Sequence, residues 1–162
     1  MDDVAAAAGI TKLIVYRHFD SKEALYEAVL SQVSSRLAEE FVTLVDRGVT
    51  TGLGVRVLLN VAREAPEPFV LLWRHAAREP HFAEHAHAFR RTVVALADTM
   101  LERRTVGDPI RRRWAAELSV SYLVDAVIHW LERGDPRRDE ELVELVSSGL
   151  SAMVTAWAGV SA

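Results

Sequence analysis

Apolar residues recur every three or four positions along one long stretch: Leu25, Val29, Val33, Leu37, Phe41, Leu44 and Val45. That period follows one face of an α-helix and excludes the two-residue alternation of a half-buried strand. Similar spacing returns in later stretches, and Ala, Leu, Glu and Arg, all good helix formers, fill the chain between them. Gly and Pro fall at wide intervals and punctuate the pattern rather than interrupt it. The chain therefore reads as all-α.

The punctuation predicts the helices. A first runs from Asp2 to Ala8 and stops at Gly9, a residue that tolerates the positive φ of a helix end. Thr11 suits an N-cap for a second, Lys12 to Phe19. Asp20-Ser21-Lys22-Glu23 caps a third that reaches Asp46. Further helices are expected at Leu53 to Glu64, Pro68 to Ala77, His81 to Arg104 with Pro80 at N1, Pro109 to Glu132 and Arg138 to Ala158. A division near residue 47 separates a front unit, 1–47, from a back unit, 48–162, with the third helix shared between them.

Composition narrows the function. A chain of 162 residues can bury a core of its own. Its net charge of −4 gives no overall signal for nucleic acid, so charge has to be read locally. The absence of cysteine excludes a disulfide scaffold, a thiolate zinc site and a cysteine nucleophile, and suits a cytoplasmic protein. No signal peptide is legible at Met1-Asp2-Asp3. No apolar run approaches the ~20 residues of a membrane span, since Ser119, Ser121, Asp125 and His129 break the stretch around 118–131. No membrane partner and no cofactor are expected.

Locally, one segment stands out. Between Gly9 and Lys22 the cations Lys12, Arg17 and Lys22 face Asp20 alone, so a basic patch sits inside an acidic chain. Small residues, a Gly turn, Ile10, a Thr and a second short helix make the pattern of a helix-turn-helix, in which two helices cross closely. Val4, Ala5, Ala8 and Ile10 supply the crossing, and Val15 and Phe19, one turn apart, face inward. Lys12 then lies at the front of the second helix, where recognition helices approach base edges and phosphate. Tyr16, Arg17 and His18 follow it, and Lys22 opens a helix start that attracts phosphate. The plain alternative is a helical hairpin with ordinary surface charges.

The stretch VAAAAGITKLIVYRHFDSKEALYEAVL, from Val4 to Leu30, closely resembles the DNA-binding segment of TetR-family transcriptional regulators. The shared features are the Val-Ala start, the Ala-Gly turn, Thr-Lys, Tyr-x-His-Phe and Ser-Lys-Glu-x-Leu-Tyr. The resemblance implies that Thr11 and Lys12 meet phosphate or base edges, that Tyr16 and His18 hold the DNA backbone, that Phe19 anchors the helix and that Lys22 meets phosphate. Where many members carry Gly or Pro and then a hydroxyl residue, this chain has Leu13 and Ile14. Either could touch a thymine methyl, pack, or lie idle. The family pattern also begins with a further helix and a basic arm ahead of the segment that here starts at Met1. The expectation is that the chain without them binds DNA poorly, and that a mobility shift against an extended chain shows the difference.

For the back unit the resemblance implies ligand binding and dimerisation. The helices around 109–132 and 138–158 carry rich apolar stripes, and pairing with a second copy would make a four-helix bundle. Val124, Ile128, Leu142, Leu145, Leu150, Met153 and Trp157 are the expected homodimer interface; the alternative is that they belong to one chain's core. A two-fold dimer would set two reading helices about 34–36 Å apart. Phe69, Trp73, Phe89, Met100, Trp114 and Tyr122 are candidates to line a pocket for a small, apolar effector, each with plain core as its alternative.

His81-Phe82-Ala83-Glu84-His85 reads H-x-x-E-H, a spacing that can hold zinc with Glu84 as general base. A hydrolase would need a third ligand from Glu117, Asp98 or His75, and a metal sensor would use His75, His81, His85 and His87. Arg111-Arg112-Arg113 reads as a solvated helix start. The expected function is a ligand-responsive regulator, a repressor, that binds double-stranded operator DNA as a homodimer and is not an enzyme. The alternatives are a dimeric helical ligand-binding protein without DNA competence and, remotely, the zinc hydrolase.

Overall fold

A computed structural model of the chain describes residues 9, 11–46, 53–102 and 108–159, all of them helix, turn or coil with no strand among them. The first expected helix, Asp2 to Ala8, lies outside the described residues. α1 spans Lys12–His18, α2 Lys22–Asp46, α3 Leu53–Glu64 and α4 Pro66–Val70. A π turn, Leu71–His75, and a 3-10 turn, Ala76–Arg78, extend α4. α5 spans Ala83–Glu102, α6 Pro109–Arg133 and α7 Asp139–Gly159, the last preceded by a 3-10 turn, Pro136–Arg138.

Local chemistry explains most of the ends. Gly9 stands at φ 65°, a conformation a side chain would strain. Thr11 occupies the N-cap of α1 with extended backbone, yet its side chain makes no capping bond, which corrects the capping role expected of it. Ser21 caps α2, its Oγ accepting the Ala24 N–H at 3.0 Å. Asp108 caps α6 by accepting the Arg111 N–H at 2.7 Å, and Pro109 follows at the position where its missing N–H costs nothing.

Two expectations are corrected between residues 66 and 85. The helix expected at Pro68 to Ala77 begins at Pro66 and widens into the π turn, where the Ala76 N–H reaches back to the Leu71 carbonyl. Pro80 does not open α5. It lies in a turn in which the N–H groups of Phe82 and Ala83 both donate to the Glu79 carbonyl at 2.9 Å, so the helix starts at Ala83.

The core draws Leu30, Val33 and Leu37 from α2 together with Val55, Leu58 and Val61 of α3, Phe69 and Leu72 of the α4 region, Val94 of α5, Val120, Val127 and Ile128 of α6, and Val146 of α7. α5 and α6 share the most extensive contact, and α3 packs on both α6 and α2. From Leu30 onward α2 is thus part of the same core as the helices behind it. Gly149 lets α7 lie close to Tyr122, whose Cζ would stand 3.3 Å from an added Cβ.

Ion pairs close the outside of this bundle. Asp139, at the start of α7, accepts from Arg63 Nη2 and Nε at 2.7 and 3.0 Å and from Trp130 Nε1 at 2.6 Å, tying α3, α6 and α7 together. Arg56 grips Glu140 with both terminal nitrogens at 2.5 Å. Hydrogen bonds from Arg63, aided by Trp130 and opposed by burial, hold the Asp139 carboxyl below the usual aspartate range. A depressed native pKa stabilises the fold above the ordinary aspartate value of ~3.9 and loses that contribution as pH falls through the native value. Acidification from pH 5 toward 3 is expected to remove part of this contribution from the wild-type chain, and Asp139→Asn should show a weaker dependence of unfolding free energy on pH over that window, read from urea titrations. Equal slopes would remove the pair from the account.

Candidate functional site

α1 is short, and its orientation is set by the two apolar residues it buries. Val15 is only 4% exposed and Phe19, its C-cap, is half-buried. At about 100° per residue, Leu13 and Arg17 lie opposite those two, with Ile14 and Tyr16 on the flanks. The exposures agree: Leu13 is 79% exposed, and Ile14, Tyr16, Arg17 and His18 are also exposed. Thr11 is exposed at the helix start, Lys12 is the first helical residue, and Lys22 is exposed in the first turn of α2. The residues expected at a DNA interface thus lie along one short helix and the start of the next. Lys22 lies close enough to Glu23 for its charge to help lower the Glu23 pKa, while Arg17 meets no acidic side chain among the described residues. Cations at a helix start beside aromatic and hydroxyl side chains can grip phosphate, while the outward helix face is open to base edges.

This face is tied to the back of the molecule through α2. Tyr26, one turn past Lys22, stacks on Phe82 with ring centroids 4.0 Å apart and planes 21° apart. Burial pushes the Tyr26 hydroxyl above its ordinary pKa, with Glu79 adding to the effect. Further along, buried Ser34 sits 3.3 Å from His85 Nε2. The Ser34 hydroxyl donates to the Leu30 carbonyl at 2.8 Å, so His85 is the donor in that contact. α2 is therefore fastened to the turn before α5 and to the first turn of α5. These fasteners were not singled out in the sequence, because only the fold brings residue 26 beside 82 and 34 beside 85.

The expected effector residues divide. Phe69, Trp73 and Phe89 come together, Trp73 tilted against Phe69 at 6.4 Å and edge-on to Phe89 at 5.6 Å. The Trp73 indole N–H is buried and has no hydrogen-bond partner, the sole such side-chain atom among the described residues. It lies in the π turn, a distortion often found at functional sites. Met100 and Tyr122 are half-buried elsewhere on α5 and α6. Trp114 is 67% exposed and lines a shallow apolar depression with Pro109, Ile110, Arg113 and Glu117, so it does not belong with the buried rings.

The expected interface residues divide too. Val124, Ile128 and Leu142 are buried within the single chain, in its own core cluster. Leu145 is 70% exposed, and Leu150, Met153 and Trp157 are half-buried. Ile110, Trp114 and Leu118, at i, i+4 and i+8 on α6, form an exposed apolar stripe. Ile110 was missed in the sequence, although its spacing from Trp114 and Leu118 carried the signal.

The histidine motif disperses. His85 faces Ser34, while His81 and Glu84 are exposed, with Glu84 paired to Arg91 at 2.8 Å. Among the described residues no three His, Asp or Glu side chains converge as metal ligands. No described helix is long and apolar enough to cross a membrane.

Residues 1–29 match the sequence model of the family described as bacterial regulatory proteins, tetR family. Two Mycobacterium tuberculosis proteins, the uncharacterized HTH-type transcriptional regulators MT1294 and Rv1255c, are each 28% identical over 132 residues, covering 76% of this chain and 64% of the relative. The HTH-type transcriptional activator FasR of Mycolicibacterium smegmatis is 26% identical over 170 residues, covering 99% of this chain and 73% of its own. The chain thus spans less than two thirds of the length of the two M. tuberculosis relatives. The family is described as one of regulatory proteins, and the relatives are named as two transcriptional regulators and a transcriptional activator.

Proposed function

We propose, from the premise that this chain is a transcriptional regulator of the TetR type, that it binds operator DNA as a homodimer in the cytoplasm and answers to a small effector. The observation that carries the reading is α1 itself: a seven-residue helix anchored by Val15 that turns Leu13, Arg17 and their neighbours outward beside Lys22, inside the segment that matches the family. Phosphate contacts from Lys12, His18 and Lys22 give affinity, and the outward face of α1 gives sequence choice. Selection from a random duplex pool, followed by mobility shifts, tests this. Enrichment of one motif with salt-sensitive affinity is the expected result, and Lys22→Ala should flatten the slope of log K against log salt by ~1.8, about 0.9 for each subunit of the dimer. A chain that retains no duplex above background would leave a ligand-binding protein without DNA competence.

The dimer uses the exposed stripe of α6, Trp114 and Leu118, together with Leu145 of α7 and the half-buried Leu150, Met153 and Trp157. Large exposed apolar side chains on a helix face mark an interaction site, and a two-fold pairing of α6 and α7 would cover them with a second copy of the same helices. Replacing Trp114 and Leu145 together by Glu is expected to weaken the dimer by about 2 kcal/mol or more, some 30-fold in dissociation constant. Sedimentation velocity at micromolar concentration checks it, and an unchanged dimer would move the interface elsewhere.

The effector site centres on Phe69, Trp73 and Phe89. Three rings suit an apolar ligand, and the partnerless Trp73 N–H suits one that also carries a hydrogen-bond acceptor. The ligand shifts the population of head separations by no more than its differential affinity for the two states. Tyr26–Phe82 and Ser34–His85 are the contacts through which that shift reaches the head. We assign repression, by obstruction of a promoter. One of the relatives is named an activator, and transcription in vitro reads the sign for this chain directly.

A further inference from the structure

Leu13 and Arg17 are the two residues of α1 that point furthest from the Val15–Phe19 anchor, and they lie one turn apart. We infer that they are the base readers of the proposed DNA-binding face, Leu13 packing on the methyl of a thymine and Arg17 donating to O6 and N7 of a guanine no more than two base pairs away. The inference rests on the DNA-binding reading and adds to it the chemistry of the operator.

The argument begins with Leu13. A side chain 79% exposed on a seven-residue helix contributes nothing to the core and raises the cost of solvation. Among major-groove features only the thymine C5 methyl offers an apolar partner. Arg17 shares that apex, is exposed, and meets no acid among the described residues, so its planar fork is available. Guanine presents two acceptors at the spacing of that fork. Four residues of helix rise about 6 Å, close to two base-pair steps of 3.4 Å, which sets the distance between the two bases. Ile14 and Tyr16, on opposite flanks, then meet the walls of the groove.

The test uses the full chain and the duplexes it enriches from a random pool. Each thymine of the enriched motif is replaced in turn by deoxyuridine, which removes only the methyl. One position per half-site is expected to weaken by about fourfold, the factor for losing one buried methyl-sized group. Leu13→Ala should bind thymine and uracil duplexes alike at that position. Arg17→Ala should lose about 10–100-fold and accept any base at a guanine within two pairs of that thymine. Both side chains are exposed, so far-ultraviolet circular dichroism of either variant should match the parent. If a motif is enriched but no thymine methyl matters, or if Leu13→Ala keeps the methyl preference, the assignment falls and the DNA-binding reading stands. If no motif is enriched, both fall.

Discussion

Val15→Asp is expected to abolish sequence-specific DNA binding, a loss of more than about 100-fold, while the helices from α2 to α7 still unfold in one transition close to that of the parent. Val15 is 4% exposed and lies outside the large cluster that unites α2 to α7. A carboxylate at that position has either to be buried unpaired, at a cost of several kcal/mol, or to be turned out to water. Turning it out rotates Leu13 and Arg17 away from the face they share. The core cluster, built from Leu30, Phe69, Ile128 and their neighbours, loses nothing. Mobility shifts on the selected duplex and a thermal melt measure the two effects separately. Binding within threefold of the parent would detach the orientation of α1 from DNA recognition.

Phe69→Ala is expected to cost about 3–5 kcal/mol of unfolding free energy. Phe69 is fully buried, the largest of the fully buried side chains among the described residues. It packs against Trp73 at the head of the π turn, and Trp73 in turn meets Phe89 of α5, so a void here removes support from two elements at once. Domains of this size are stable by only about 5–15 kcal/mol, so urea midpoints should fall steeply. Phe69→Leu, which refills much of the void, should fall distinctly less. Similar losses for the two variants would mean that the site collapses around either side chain.

The helices were legible because their signals are local. The 3–4 spacing from Leu25 to Val45 marks α2, Pro109 after Asp108 opens α6, and the ends at Asp46 and Glu64 fall where expected. The segment from 66 to 85 was not, because two local rules competed there with packing. Pro80 looks like a first helical residue, yet the Glu79 carbonyl accepts the N–H groups of Phe82 and Ala83 in a turn, and α5 starts only at Ala83. The π turn at Leu71–His75 has no composition of its own; it exists where Phe69, Leu72 and Ala76 are all buried. On the front, the inward pair Val15 and Phe19 was enough to place the outward residues. On the back, periodicity shows that a residue is covered without showing by what. Ile128 and Leu145 read alike in the sequence, but one is sealed in its own chain and the other is exposed. Trp114 was grouped with the pocket aromatics by residue type alone, and its position on the stripe of α6 puts it outside.

The fastening of α2 to α5 decides where a chimaeric sensor can be spliced. Tyr26 stacks on Phe82, and Ser34 meets His85, both well before α2 ends at Asp46. A foreign recognition segment joined ahead of Ser21 keeps all four residues native, and with them both contacts between α2 and the α5 region. A join at the end of α2, the natural seam by element boundaries, replaces Tyr26 and Ser34 while leaving Phe82 and His85 behind. Such a hybrid would lose both the ring stack and the serine–histidine contact that hold α2 against the α5 region.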